Sequence, residues 1–147
     1  MNSHRLSLRM AAALVLLATV ACGSFSAPKS CGDDVSGAPD QSAFDQNFSA
    51  MRLANQSSGL LGPSDASEEF SLPRGDPLAI AYSGRTSGSL RVCVQERSAG
   101  GGIPLDQTFQ FEQGDVMILL SSFEPGTYVL RAIVDETLVR NLTFVVK

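Results

Sequence analysis

Short apolar stretches with a period of two residues, separated by turn-forming residues, fill the second half of this 147-residue chain. Leu90, Val92 and Val94, for example, alternate with polar neighbours, which is the pattern of a half-buried β-strand. Segments rich in Gly, Pro and Ser interrupt such stretches at close intervals, and no long helical pattern occurs between them. The pattern predicts an all-β domain over residues 47–147, an antiparallel β-sandwich of about seven strands.

One motif narrows the kind of sandwich. The segment Glu124–Leu130 (EPGTYVL) resembles the acidic-x-Gly-x-Tyr-x-apolar pattern of immunoglobulin-like and fibronectin type III-like domains. The resemblance implies an immunoglobulin-like sandwich in which Tyr128 forms a tyrosine corner, its hydroxyl bonded backwards along the chain. Two departures are that Leu130 stands where antibody domains have their second disulfide cysteine, and that the chain has no Trp. The alternative is a Pro-Gly hairpin turn followed by an ordinary core tyrosine.

The segment between Phe44 and Ala54 allows two interpretations. Ser42 and Asp45 could cap a helix with its aromatic residues on one face. Alternatively, the residues from Phe48 onward alternate as the first strand of a sheet. We favour the strand, because the rest of the chain is so plainly β.

The amino terminus has the organisation of a secretory signal peptide. Arg5 and Arg9 precede an uninterrupted run of apolar and small residues from Met10 to Ala21. This run is too short to span a bilayer of about 30 Å, which takes about 20 residues, but it matches the apolar core of a signal helix. A buried helix of a cytosolic domain is the alternative, and the polar, Gly- and Pro-containing sequence that follows disfavours it.

The residues that end this run indicate lipid attachment. Thr19-Val20-Ala21-Cys22 resembles the lipobox of bacterial lipoproteins, although that family usually has Leu at the position of Thr19. The resemblance implies cleavage after residue 21, acylation of Cys22 and a lipid-anchored location in the bacterial cell envelope, facing the periplasm or the exterior. Ordinary secretion, with Cys22 in a disulfide or removed with the signal, is the alternative.

The other two cysteines, Cys31 and Cys93, form a possible pair if Cys22 is acylated, since exported proteins fold in an oxidising compartment. Cys93 shares the polar face of its strand, so its thiol could reach a crossing segment without disturbing the core. We therefore predict a Cys31–Cys93 disulfide that ties the N-terminal segment to the sandwich, two free thiols being the alternative.

Residues 22–46 are mostly Gly, Ser, Ala, Pro and Asp and are expected to form a flexible, disordered tether between the anchor and the domain. Without residues 1–21 the chain carries a formal charge of −6. An acidic domain with no basic stripe is a poor partner for nucleic acid. Attachment to a membrane must then come from the lipid anchor.

The chemistry of the common enzyme classes is missing from this sequence. Its one histidine, His4, lies in the predicted signal peptide, so the mature domain has no histidine for a catalytic triad or a zinc site. Phosphate-binding and nucleophile-elbow motifs are also missing. Acids near predicted turns are the remaining candidates for a glycosidase pair: Glu68, Glu69, Asp106, Glu112 and Asp115. We expect no catalytic residue, no metal and no cofactor.

The sequence therefore predicts a non-catalytic binding or structural module of the cell envelope, with an unidentified envelope protein as partner. Polysaccharide binding is weakly supported, because glycan platforms are normally aromatic and both Tyr82 and Tyr128 are expected to face the core. An accessory or inhibitory lipoprotein that inserts the Ser83–Gly88 or Ser98–Gly102 loop into a partner is the third hypothesis.

Overall fold

A computed structural model describes residues 31–32, 37–98 and 101–147, and it confirms the predicted all-β sandwich. Two sheets are present, one of three strands in the order β1-β3-β6 and one of five in the order β2-β8-β7-β4-β5. The described residues contain eight strands, one more than expected, and one short helix. The elements are α1 (Gln41–Asn47), β1 (Phe48–Asn55), β2 (Phe70–Leu72), β3 (Leu78–Gly84), β4 (Gly88–Glu96), β5 (Leu105–Phe111), β6 (Gly114–Leu119), β7 (Gly126–Val134) and β8 (Thr137–Val146).

Nearly all neighbouring strands run antiparallel. The exception is β2, whose three residues pair in parallel with the end of β8. The β7–β8 hairpin turns at Asp135 and Glu136, whose φ angles of 47° and 60° are left-handed. Such angles at both central residues give a turn whose twist matches that of the flanking strands.

Apolar side chains at every second position of the strands fill the space between the sheets. Leu90, Val92 and Val94 on β4 are fully buried, and inward positions of the other strands complete a single core cluster. Aromatic rings occupy both ends of this core. Phe48 contacts Phe44, Tyr82 and Phe111 at one end, and three rings pack together at the other: Phe123, Tyr128 and Phe144.

The structure corrects the end of the predicted tether, residues 22–46. Gln41–Asn47 forms α1, which begins after Asp40, whose side chain accepts a 2.9 Å hydrogen bond from the Ala43 amide. Asp40 therefore acts as an N-cap, a role that favours Asp because its carboxylate satisfies an otherwise unpaired helical N–H. The strand begins at Phe48 directly after the helix, as the favoured interpretation has it, whereas the helix ends at Asn47 and is capped by Asp40, not by Ser42 and Asp45.

The helix is ordered because Phe44 is buried in the core. The guanidinium carbon of Arg140 lies 3.9 Å from the centre of the Phe44 ring, a cation–π contact. The Asp40 amide also donates a 2.8 Å hydrogen bond to the Leu138 carbonyl on β8. A single aromatic residue, Phe44, does not by itself predict a packed helix, because the polar and small residues around it are typical of a flexible tether.

The predicted signal peptide, residues 1–21, lies outside the described residues. Among the residues that are described, none forms a helix long and apolar enough to cross a bilayer.

Replacing Phe44 with Ala tests whether α1 belongs to the folded domain. A buried Phe→Ala change costs about 3–5 kcal/mol of unfolding free energy, so urea denaturation followed by circular dichroism should show a clearly lower midpoint. Gln46→Ala, at an exposed position of the same helix, should leave the midpoint almost unchanged. Equal midpoints for the two variants would mean that the helix is not packed on the sandwich.

Candidate functional site

Cys31 and Cys93, the pair predicted from the sequence, are joined by a disulfide with their Cα atoms 6.0 Å apart. Cys93 faces away from the core of the sandwich, as its parity on β4 requires, but it is fully buried. Cys31 packs against it, and a second small cluster forms on this outer face of the five-stranded sheet. Its apolar members are Cys31, Cys93, Ile133 and Leu138, with Ile103 packed against them.

Arg91, on the same face of β4, reinforces this attachment. Its Nη2 donates to the Cys31 carbonyl at 3.0 Å, and its Nε and Nη2 donate to the two carboxylate oxygens of Asp106 at 2.8 Å each. The hydrogen bond from Arg91 lowers the pKa of Asp106 below its usual value, against an opposing effect of burial. The N-terminal segment is thus tied to β4 covalently and to β5 through Arg91.

Tyr128 forms a corner at the start of β7. Its hydroxyl donates a 2.7 Å hydrogen bond to the Glu124 carbonyl, four residues back along the chain. Its ring stacks on Phe144 with the ring centres 5.0 Å apart. Burial raises the pKa of Tyr128, and the charges of Glu96 and Glu124 raise it further. The contacts of this tyrosine are structural. Cys22, the predicted lipidation residue, lies outside the described residues.

The carboxylates considered for catalysis lie at exposed positions: Glu68 and Glu69 in the loop before β2, Asp106 on β5, Glu112 in the β5–β6 turn and Asp115 on β6. Asp106 is engaged by Arg91, and Asp115 accepts a hydrogen bond from Ser83. Within the described ranges, no group of three or more His, Cys, Asp or Glu side chains could hold a metal ion.

The most unusual surface of the described domain is the outer face of the three-stranded sheet, which we call the small-sheet face. In a sandwich this face normally carries polar side chains, yet here most outward positions are apolar. Cross-strand register arranges them in three rows, and Leu61 pairs with Ala54 at the margin. The rows are Ala50–Ser83–Asp115, Arg52–Ala81–Met117 and Leu61–Ala54–Ala79–Leu119.

The row that contains Leu61 and Leu119 forms a ridge on this face, and a groove lies beside it. Ala54 and Ala79 are fully buried between Leu61 and Leu119, which are 49% and 51% exposed. Beside this apolar ridge lies a groove of about 430 Å³ whose walls include Arg52, Met117 and Asp115. Large exposed apolar side chains grouped on one face mark an interaction site more often than scattered ones do.

A second groove, of about 480 Å³, lies beside Tyr128 and is also lined by Phe123, Ile103 and Pro104. Its two aromatic rings are buried in the core cluster and offer little surface to a ligand. The small-sheet face is therefore the better candidate.

Sequence analysis missed this face, although the residues carry a signal for it. Val116–Leu120 is a continuous apolar run with no alternation, which indicates a strand that is apolar on both faces. Ala79 and Ala81 alternate with Leu78 and Ile80, so β3 has no strongly polar face either.

Comparison of the sequence with known protein families and with curated proteins finds no match. Function must therefore be inferred from the residues themselves.

Removing the disulfide should destabilise the domain strongly. For cysteines 62 positions apart, the chain-entropy model gives about 4 kcal/mol of unfolding free energy. Urea denaturation of a Cys31→Ala/Cys93→Ala variant should show this loss, and dithiothreitol should shift the wild-type midpoint but not that of the variant. A wild-type midpoint that does not respond to reductant would contradict the structural role assigned to the bond.

The Asp106–Arg91 pair should make a small, pH-dependent contribution to stability. Because the pKa of Asp106 is lowered on folding, the contribution is complete above the unfolded Asp pKa of about 3.9 and is lost as pH falls through the lower folded value. Both side chains are partly exposed, so we expect at most about 1 kcal/mol. Denaturation at pH 6 and pH 2 should show that Asp106→Asn costs stability only at the higher pH. Asp45→Asn, which removes the same charge from the exposed side of α1, is the matched control.

Proposed function

We propose that this chain is an exported bacterial lipoprotein, anchored in the cell envelope through acylated Cys22, which acts by non-covalent binding and not by catalysis. The observation that carries the binding role is the small-sheet face, which exposes Leu61, Met117 and Leu119 together on one side of the sandwich. An apolar face of this kind fits a protein partner, since protein interfaces bury apolar side chains at their centre and leave charged groups at the rim.

Export is supported by two independent features. The basic start and apolar run at the amino terminus are typical of a signal peptide. The Cys31–Cys93 disulfide belongs in an oxidising compartment, because cytosolic reductants keep most thiols reduced. Since Cys31 and Cys93 bond to each other, this disulfide does not use Cys22, the third cysteine of the sequence and the residue that the lipobox-like sequence assigns to acylation.

The immunoglobulin-like assignment is supported by strand order. If β7 is the strand that carries the tyrosine corner, its neighbours β4 and β8 correspond to the strands that flank it in immunoglobulin-like domains. The opposite sheet then contains β1, β3 and β6, which correspond to strands A, B and E, the first, second and fifth strands of an immunoglobulin-like domain. The Tyr128–Glu124 hydrogen bond has the backward direction that such a corner requires.

The competing functions have less support. The large exposed apolar residues of the described chain are aliphatic, namely Leu60, Leu61, Val116, Met117 and Leu119, whereas a glycan platform would expose aromatic rings. Of the two loops considered for insertion into a partner, Ser83–Gly88 is fastened to α1: the Arg85 amide donates to the Asn47 carbonyl at 2.7 Å. For catalysis, the sequence offers no histidine other than His4, which lies in the predicted signal peptide.

Metabolic labelling with a fatty-acid analogue tests the anchor. The wild-type chain should incorporate label and sediment with membranes, whereas Cys22→Ser should do neither. Cys31→Ala/Cys93→Ala, which changes the other two cysteines, should be labelled like the wild type. Intact mass spectrometry should give a mature chain that begins at Cys22 with acyl groups attached. Equal labelling of wild type and Cys22→Ser would refute the proposal.

A further inference from the structure

We propose that the partner of the small-sheet face is a second copy of the same chain, and that two copies pack these faces together around a two-fold axis roughly parallel to β3. This inference rests on the proposed binding function and names its partner. Three features of the face support it: its shape, its charges and its position relative to the disulfide.

The first feature is the spacing of the two exposed leucines. Leu61 and Leu119 lie in one row with Ala54 and Ala79 between them, so three strand spacings of about 4.8 Å separate their backbones. A two-fold axis along β3 places β6 of each copy over β1 of the other. Leu119 of one copy then lies beside Leu61 of the second copy, and the four leucines interleave in a single apolar row.

The second feature is a pair of opposite charges on opposite margins. Arg52 lies on β1 and Asp115 lies on β6, one row apart, and the described residues contain no ion pair made by Arg52. The same axis brings Arg52 of one copy to within one row of Asp115 of the second copy, and its aliphatic stem over the second copy's Met117. Symmetry creates this contact twice, so the face is complementary to itself in charge.

The charges also explain why an acidic chain can associate with itself at this place. The mature chain has a formal charge of −6, which opposes self-association in general. The small-sheet face, with one Arg and one Asp among its ten positions, is neutral. Two copies can therefore meet there without the repulsion that other surfaces would impose.

The third feature is that the N-terminal segment is fastened to the opposite side of the domain. Cys31 is bonded to β4 of the five-stranded sheet, so the anchor segment is attached away from the small-sheet face. Both copies can then keep their anchors in one membrane while their small sheets are in contact.

The size of the face predicts a weak dimer. Ten positions, at a strand spacing of about 4.8 Å and a row spacing of about 6.8 Å, cover roughly 330 Å² per copy, less than half of the roughly 800 Å² per partner in a standard interface. We expect association in the micromolar range or weaker in solution, and a larger dimer population where anchoring in a membrane raises the local concentration.

Cysteine crosslinking in cells that export the full chain tests the arrangement directly. Ala81 lies in the middle row on the central strand, so Ala81→Cys should place two thiols near the two-fold axis. Under mild oxidation this variant should give a disulfide-linked dimer on a non-reducing gel. Thr108→Cys, at an exposed position of β5 on the other sheet, and the wild type should remain monomeric. Equal crosslinking of both variants, or none by Ala81→Cys, would overturn the arrangement.

A charge-reversal pair distinguishes a second copy from any other partner. In sedimentation velocity of the detergent-extracted chain, Arg52→Asp alone should weaken dimerisation about tenfold. The double variant Arg52→Asp/Asp115→Arg should restore the wild-type affinity, because each reversed charge then meets the other in the second copy. A different protein partner would lose affinity with both variants and regain none.

Two results would overturn the dimer. One is a wild-type chain that stays monomeric at all concentrations, both in detergent and in vesicles. The other is a photocrosslinker at residue 119 that captures a different envelope protein and not a second copy. The second result would leave the proposed binding function intact, whereas equal fatty-acid labelling of the wild type and Cys22→Ser would refute the anchor without affecting the solution dimer.

Discussion

The packing of one apolar side-chain layer between two sheets of unequal width is the constraint on which the rest of this domain depends. Apolar side chains at every second strand position fill this layer, and aromatic clusters close both of its ends. Because the inward faces of the two sheets bury each other's apolar side chains, the outward faces can take other roles. The outer face of the five-stranded sheet holds the disulfide and Arg91, and the outer face of the three-stranded sheet exposes an apolar surface.

The division of the chain into strands could be predicted from sequence because it depends on local pattern. Alternation in β4, β7 and β8 sets both the strand positions and the inward residues, and the β7–β8 turn begins with Asp135, a residue type that tolerates left-handed angles. The short strand β2 was not recognised. Its three residues gain their partner from the far end of the chain, on β8, and such long-range pairing leaves little trace in a three-residue segment.

Two parts of the structure depend on tertiary context that the sequence does not display. The helix α1 lies in a polar segment and is ordered by one buried ring, Phe44, beneath Arg140. Cys93 occupies an outward position and is fully buried because it packs in a cluster with Cys31, Ile133 and Leu138. The Cys31–Cys93 pair could be predicted from the outward parity of Cys93 and from the resemblance that assigns Cys22 to acylation. The apolar run Val116–Leu120 does not by itself show that one of its faces is exposed, since such a run also fits a strand that is buried on both faces.

The disulfide also has a mechanical consequence for a protein held by its amino terminus. If Cys22 carries the proposed lipid, Cys31, which is bonded to β4, lies nine positions along the chain from it, a span of at most about 30 Å when fully stretched. Asp40, whose amide donates to the Leu138 carbonyl on β8, lies eighteen positions from Cys22, so without the disulfide the corresponding span would be about 60 Å. The oxidation state of one bond would then set how far above the lipid the domain can search for whatever it meets.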